Sequence, residues 1–368
     1  MSDLLYSDVE EQLRSSVRNL LADRAPWPAV LARTETDELY DPALWRSLAV
    51  DLGAAGLAVP ESAAGQGASW RETAVVAEEL GRSVAATPFL GSTVMATALA
   101  IRAGADDLVK RLASAAVTAA LAMPLSTGPG GPGTFPAAVR HSDGLLSGTV
   151  RDVADARSAD QLLVPCLVGD EPALFVVDAA ATRRDAVGSL DLTRPLCDVT
   201  FDAAPGELIA SGADAVSAVQ VALTTGAALL AAEQLGLAQR CLEMTVEHLL
   251  TRYQFGRQIG SYQALKHRMA DMWAGVTQAR AVARYAVTCV ADGDPDAAVA
   301  ASLAQAYCSP VAVRAAEECV QLHGGIGFTW EHPAHLYLKR AKADAIALGT
   351  AARHRARLGE LVDLPAAG

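Results

Sequence analysis

Leu4, Val9, Leu13, Val17, Leu20 and Leu21 recur at roughly helical spacing with charged residues between them, and similar stripes run through 42–52, 71–82 and 93–103. This spacing predicts amphipathic helices, with breaks at Gly81, Pro88 and Gly104, so residues 1–120 are expected to form an all-helical domain. The Gly- and Pro-rich stretch 123–136 ends that pattern. Short apolar runs follow at 144–150, 161–168, 173–177 and 197–201, separated by Asp, Gly and Pro. They predict a middle antiparallel β domain over 121–208. Helical periodicity returns near Asp214 and continues to Thr251, roughly 57 Å of helix. Runs at 263–292, 295–321 and 335–362 supply its partners, giving a C-terminal four-helix bundle over 209–368. The expected class is α+β, mostly α.

Composition narrows the function. Thirty Lys and Arg against 42 Asp and Glu leave a net charge of −12, which argues against nucleic acid as a partner, since that needs clustered cations. Cys166, Cys197, Cys241, Cys289, Cys308 and Cys319 form no C-x-x-C pair or zinc spacing, so reduced, buried thiols, no metal and a cytoplasmic location are expected. The first residues are acidic and amphipathic, unlike a signal peptide. No uninterrupted apolar run reaches the length of a membrane span.

The densest chemistry lies in 252–272, RYQFGRQIGSYQALKHRMADM. Arg252 offers a planar fork for phosphate oxygens, Gln254 and Gln263 offer amides, and Phe255 offers a flat apolar face. Taken alone, the stretch also fits a polar helix–loop–helix connection. The motif, however, resembles the R-x-x-F-G, Y-Q and H-x-x-A-D-M signature of the flavin-dependent acyl-CoA dehydrogenases. Two further family motifs occur in order. Gly56-Leu57-Ala58-Val59-Pro60-Glu61 leads to Ala77-Glu78-Glu79-Leu80-Gly81-Arg82, and Gln321-Leu322-His323-Gly324-Gly325-Ile326-Gly327-Phe328-Thr329 lies downstream.

The resemblance implies FAD, an acyl-CoA thioester substrate and electron transfer to an electron-transfer flavoprotein. It also implies that Arg252, Gln254, Phe255, Gln263, Gln321, His323, Gly324 and Gly325 reach the adenine, ribose and diphosphate end of a flavin held mainly by an adjacent subunit.

The sequence departs from the family at the groups that act within one chain. Where the commonest members carry the catalytic Glu before Gly-Thr, this chain has Leu348, and at the alternative location in the long helix it has Gly226. The flavin-facing Thr-Glu-Pro and Trp-Ile-Thr segments match Ala122-Met123-Pro124 and Asp152-Val153-Ala154. Glu233, seven residues beyond Gly226, is the nearest acid for a displaced base. The pattern resembles the non-catalytic β-type subunit of actinobacterial α2β2 acyl-CoA dehydrogenases, several of which act on CoA thioesters of steroid side chains, with no catalytic residue of its own and a homologous catalytic partner. A self-sufficient homotetramer with a displaced base, or a non-redox acyl-CoA-binding or structural homologue, are the alternatives.

Overall fold

Ser7 and Glu10 close a reciprocal capping box on the first helix, α1 (Asp8–Arg24), satisfying backbone donors that the helix itself leaves unpaired. The computed structural model describes residues 4–130, 135 and 138–364; part of the Gly- and Pro-rich stretch 123–136 therefore lies outside the described residues. Helices α2 (Trp27–Arg33), α3 (Pro42–Arg46), α4 (Trp70–Ser83), α5 (Thr97–Ala103) and α6 (Asp106–Ala113) complete the first layer. Val17 and Leu21 of the first apolar stripe are buried, whereas Val9 faces outward. Phe89–Ala96, ahead of α5, is π-helical, a local underwinding that shifts side-chain direction.

The strands are β1 (Ala119–Leu121), β2 (Val139–Ser142), β3 (Leu145–Ala154), β4 (Gln161–Val168), β5 (Glu171–Asp178), β6 (Arg183–Val187), β7 (Leu196–Pro205) and β8 (Glu207–Ser211). They form one sheet in the order β6-β7-β3-β2-β4-β5-β8, with β1 also beside β4. The expected antiparallel sheet is in fact mixed. β1 pairs in parallel with residues 161–163 of β4, and β2 pairs in parallel with 167–168 of the same strand. The two thus lie along one side of β4, and residues 122–130 leave the sheet after β1.

The bundle is organised around α7 (Gly212–Thr251), 40 residues long. By length and composition α7 could cross a bilayer, but 72% of its most apolar window is buried inside the protein. A short hairpin, β9 (Tyr253–Gln254) and β10 (Arg257–Gln258), follows it. Then come α8 (Gln263–Ala291), α9 (Ala297–His323), α10 (Ala334–Asp344) and α11 (Ala351–Leu361). The last expected run is split into α10 and α11 at a turn where Leu348 (φ 54°) and Gly349 (φ 100°) leave helical geometry. Helix α4 crosses α7 at two glycines. A Cβ on Gly236 would stand 1.8 Å from the Glu78 carbonyl oxygen, and one on Gly81 would stand 2.0 Å from that of Glu233. Only glycine permits this backbone approach.

Candidate active-site cleft and cofactor-end surface

The two positions at which the resemblance places a catalytic carboxylate meet in space. A Cβ on Gly226, in α7, would stand 3.1 Å from Leu348 Cδ1 and 3.0 Å from Met95 Cγ of the π-helical segment. Leu348 is 1% exposed. Its N–H donates to the Leu125 carbonyl (2.7 Å), and its own carbonyl lies 2.9 Å from His354 Nε2. Gly128 passes so close that a Cβ there would stand 2.8 Å from that same carbonyl. The excursion from the sheet is thereby laid over the turn after α10. Between them remains a cavity of about 20 Å³, lined by Met95, Leu125, Ala154, Asp155, Leu223 and Leu348. A water needs roughly 10–15 Å³ on this measure. The cavity therefore has room for about one water.

Asp152 occupies a β-bulge at φ 54°, is exposed, and donates its backbone N–H to Asp198 Oδ1 (3.1 Å). The carboxylate that lines the cavity is Asp155, which the sequence did not single out. It accepts from the Gly91 N–H (3.1 Å), and burial pushes its pKa up, opposed by Arg194.

Glu233 is not free to act as a displaced base. Arg194 Nη2 lies 2.7 and 2.6 Å from its two oxygens, and Arg340 Nη1 donates to it as well. Burial raises its pKa, but the two guanidiniums outweigh this and hold the carboxyl below its usual range. Arg194 also pairs with Asp344 (2.5 Å) and Arg340 with Asp191 (2.5 Å). All five charged groups are buried. They join the β6–β7 connection, α7 and α10. Two guanidiniums face three carboxylates, and the surplus falls on Asp344, whose Oδ2 is buried without a partner. Burial, opposed by Arg194 and reinforced by Glu233, pushes its pKa up to about 7. Arg194 is thus committed inside the protein and does not face a CoA.

The opposite end of the bundle carries the residues expected to reach a neighbour's flavin. Arg252 follows α7. Its backbone N–H donates to His248 (2.9 Å), its carbonyl accepts from Ile259 (2.9 Å), and its side chain is exposed. Among the described residues no carboxylate pairs with its guanidinium. Gln254 and Phe255 sit on the β9–β10 hairpin. Phe255 (φ 52°) and Gly256 (φ 76°) form its two-residue turn, the positive-φ pair of a type I′ turn. Phe255 is 91% exposed. Gln263 opens α8 and is exposed. Gln321, Gly324 and Gly325 are exposed at the end of α9, with Gly324 at φ 63°, ψ −140°, and no atom lies within 4 Å of a Cβ placed on either glycine.

His323 departs from the expected role. It is 7% exposed, its Nδ1 lies 2.7 Å from the Cys319 carbonyl, and its ring is stacked between His248 and His332. It immediately precedes the Gly324–Gly325 loop, and its Cβ lies 3.2 Å from where a Cβ on Gly327 would stand. All six cysteines are free and buried, and no metal-binding group of three or more side chains occurs among the described residues.

Residues 7–119 match the family model for the acyl-CoA dehydrogenase N-terminal domain, and residues 216–362 match that for the C-terminal domain. The chain is 38% identical over 336 residues to acyl-CoA dehydrogenase IpdE2 of Mycobacterium tuberculosis, covering 91% of each. Among solved structures it is similar to a Tcur3481–Tcur3483 steroid ACAD variant (30% identity, TM-score 0.85, 97% of this chain and 98% of that one). It is also similar to the ChsE4–ChsE5 complex from Mycobacterium tuberculosis (27% identity, TM-score 0.87, all of both chains). The chain belongs to the acyl-CoA dehydrogenase family.

Proposed function

We propose that this chain is the β-type subunit of an α2β2 acyl-CoA dehydrogenase, lacking the catalytic Glu and completing the FAD site of a homologous catalytic chain. The observation that carries the reading is the filled cleft. Leu348, Gly226 and Met95 occupy the space where a base would stand, and about 20 Å³ remains. By contrast, Arg252, Gln254, Phe255, Gln263, Gln321, Gly324 and Gly325 are exposed, with a cation, amides and bare backbone available to a diphosphate and adenine. Bound FAD would supply the hydride acceptor for α,β-dehydrogenation of the thioester. This chain's own part is to hold the cofactor's far end. The relatives described as a steroid ACAD and as a two-component complex support a steroid side-chain CoA as substrate and a two-chain assembly. An electron-transfer flavoprotein is the expected oxidant.

The test is Arg252→Ala in the complex co-expressed with the FAD-holding chain. Losing one charge-assisted contact, roughly 1.5–3 kcal/mol, should weaken FAD binding by about one to two decades. Arg252→Lys should recover part of it, because an ammonium lacks the fork. Unchanged FAD affinity with a lowered melting temperature would assign Arg252 a structural role and overturn the reading.

A further inference from the structure

His248 lies in the last turn of α7, His323 is the final residue of α9, and His332 sits in the loop before α10. Their rings pack one on the next at a tilt of 34° and 38°, with centroids 4.4 Å (His248–His323) and 4.2 Å (His323–His332) apart. Hydrogen bonds fix two of the tautomers. The Cys319 carbonyl can only accept, so His323 Nδ1, 2.7 Å away, carries the hydrogen. The Ala334 N–H can only donate, so His332 Nδ1, 3.2 Å away, carries none and caps the start of α10.

The groups facing the stack are cations or neutral. Arg252 faces His248, and Arg240 and His335 face His332, while the exception is Cys319 beside His323, whose thiol is drawn down to about 5 by its bond with Cys241 and then by His323, so that it also titrates in the acidic range. The negative ends of α7 and α9 meet here and favour one proton. A second proton would set two cations about 4 Å apart with no carboxylate between them, and at a partly buried site they repel strongly. Protonation of His332 would also remove the acceptor that caps α10. Burial and the neighbouring rings push His332 down to about 4. Burial, then His323 and Arg252, pull His248 down. At His323 burial acts in the same direction, but the bonds to Cys319 outweigh it and raise the pKa. The central ring is therefore the one that accepts a proton, and the flanking two stay neutral.

We propose that the His248–His323–His332 stack positions the Gly324–Gly325 loop and lets it go when the flanking rings take up protons in mildly acidic solution. The inference rests on the reading of that loop as a cofactor-end contact, but the stack titrates whether or not a cofactor is bound. The sign follows from linkage. His248 and His332, depressed in the closed state, favour closure fully above the ordinary value of 6.5 and lose that preference as pH falls, for His332 toward about 4, whereas His323, raised in the closed state, acts oppositely, so that two rings favour opening in acid against one.

The experiment is hydrogen exchange of the 324–333 segment in the chain alone, corrected for the intrinsic rate, at pH 7.5 and 5.0. Opening of the wild-type loop should increase about tenfold at the lower pH. His332→Asn keeps an acceptor for the Ala334 N–H without titrating, and His248→Phe keeps a neutral ring in the stack. The double variant should be as protected as wild type at pH 7.5 and should lose the pH dependence. If it does not fold, His332→Asn alone should lower the midpoint. A wild-type loop whose protection is equal at both pH values, or a variant that keeps the full dependence, overturns the proposal. FAD retention by the assembled complex over the same range separates the two readings. A loop that opens with FAD retained leaves the stack's role standing and removes the loop from the cofactor contact.

Discussion

Leu348 and Gly226, 122 residues apart in the sequence, face each other so closely that a Cβ on Gly226 would stand 3.1 Å from Leu348 Cδ1. Both are the positions at which the family resemblance places a carboxylate, and hydrocarbon fills the space they share. The arrangement is held by more than the absence of an acid. The Leu348 N–H is bonded to Leu125, and the chain through Gly128 presses on the same turn. Restoring a Glu at 348 would therefore add a buried, unpaired charge without opening a flavin pocket.

The buried ion cluster yields a paired prediction. Glu233→Gln removes the one carboxylate that both Arg194 and Arg340 bond and breaks two buried ion pairs at once, at a cost of about 3–5 kcal/mol. Asp344→Asn removes the surplus charge instead and should be near neutral or stabilising at pH 7.5. Denaturant unfolding of the two variants distinguishes them. Equal losses would contradict the assignment of the surplus to Asp344 and of the shared pairing to Glu233.

The same cluster sets a pH dependence. Asp344 titrates near 7 when folded and at an ordinary carboxylate value when unfolded. Its contribution is thus fully present below 3.8 and lost as pH rises through about 7. Glu233 and Asp191, both held low by their guanidiniums against the effect of burial, act oppositely. Their contribution is present above the ordinary carboxylate range and lost only as pH falls through their lowered values. The stability of Asp344→Asn relative to wild type should therefore increase between pH 5.5 and 8, a difference in which the histidines cancel. A constant difference would place the surplus proton elsewhere.

The α4–α7 crossing predicts a large effect from one methyl group. Gly236→Ala puts a Cβ 1.8 Å from the Glu78 carbonyl oxygen, a backbone atom that cannot rotate away. Separating the helices should cost about 3 kcal/mol, the upper part of the overpacking range. Gly359→Ala in α11 meets nothing within 4 Å and should instead stabilise by up to about 1 kcal/mol through helix propensity. Chemical unfolding of both variants checks the contrast.

Much of the architecture was legible because it depends on local pattern. The apolar stripes located the long helices, and positive-φ demands explain the Phe255-Gly256 turn and Gly324. Turn-forming residues bracketed the strands but could not reveal that β1 and β2 run parallel to β4, since pairing direction depends on the path taken between strands. The ion cluster was illegible for a related reason. Arg194 meets partners 39 and 150 residues away, and nothing in the local sequence around Glu233 distinguishes a packed, doubly paired acid from a poised base. Asp155 was missed because its role arises from burial against Gly91, and the burial of His323, expected to reach a neighbour's flavin, was not legible because the rings that cover it come from three separate segments.

The most direct test of the account is the flavin content and activity of this chain purified alone. A filled cleft and a cofactor-end surface without its partner predict protein with little or no flavin absorbance and no oxidation of any acyl-CoA. Stoichiometric FAD with turnover on an acyl-CoA would contradict it, and would require the Leu348–Leu125 closure to open and a carboxylate other than Glu233 to serve as base.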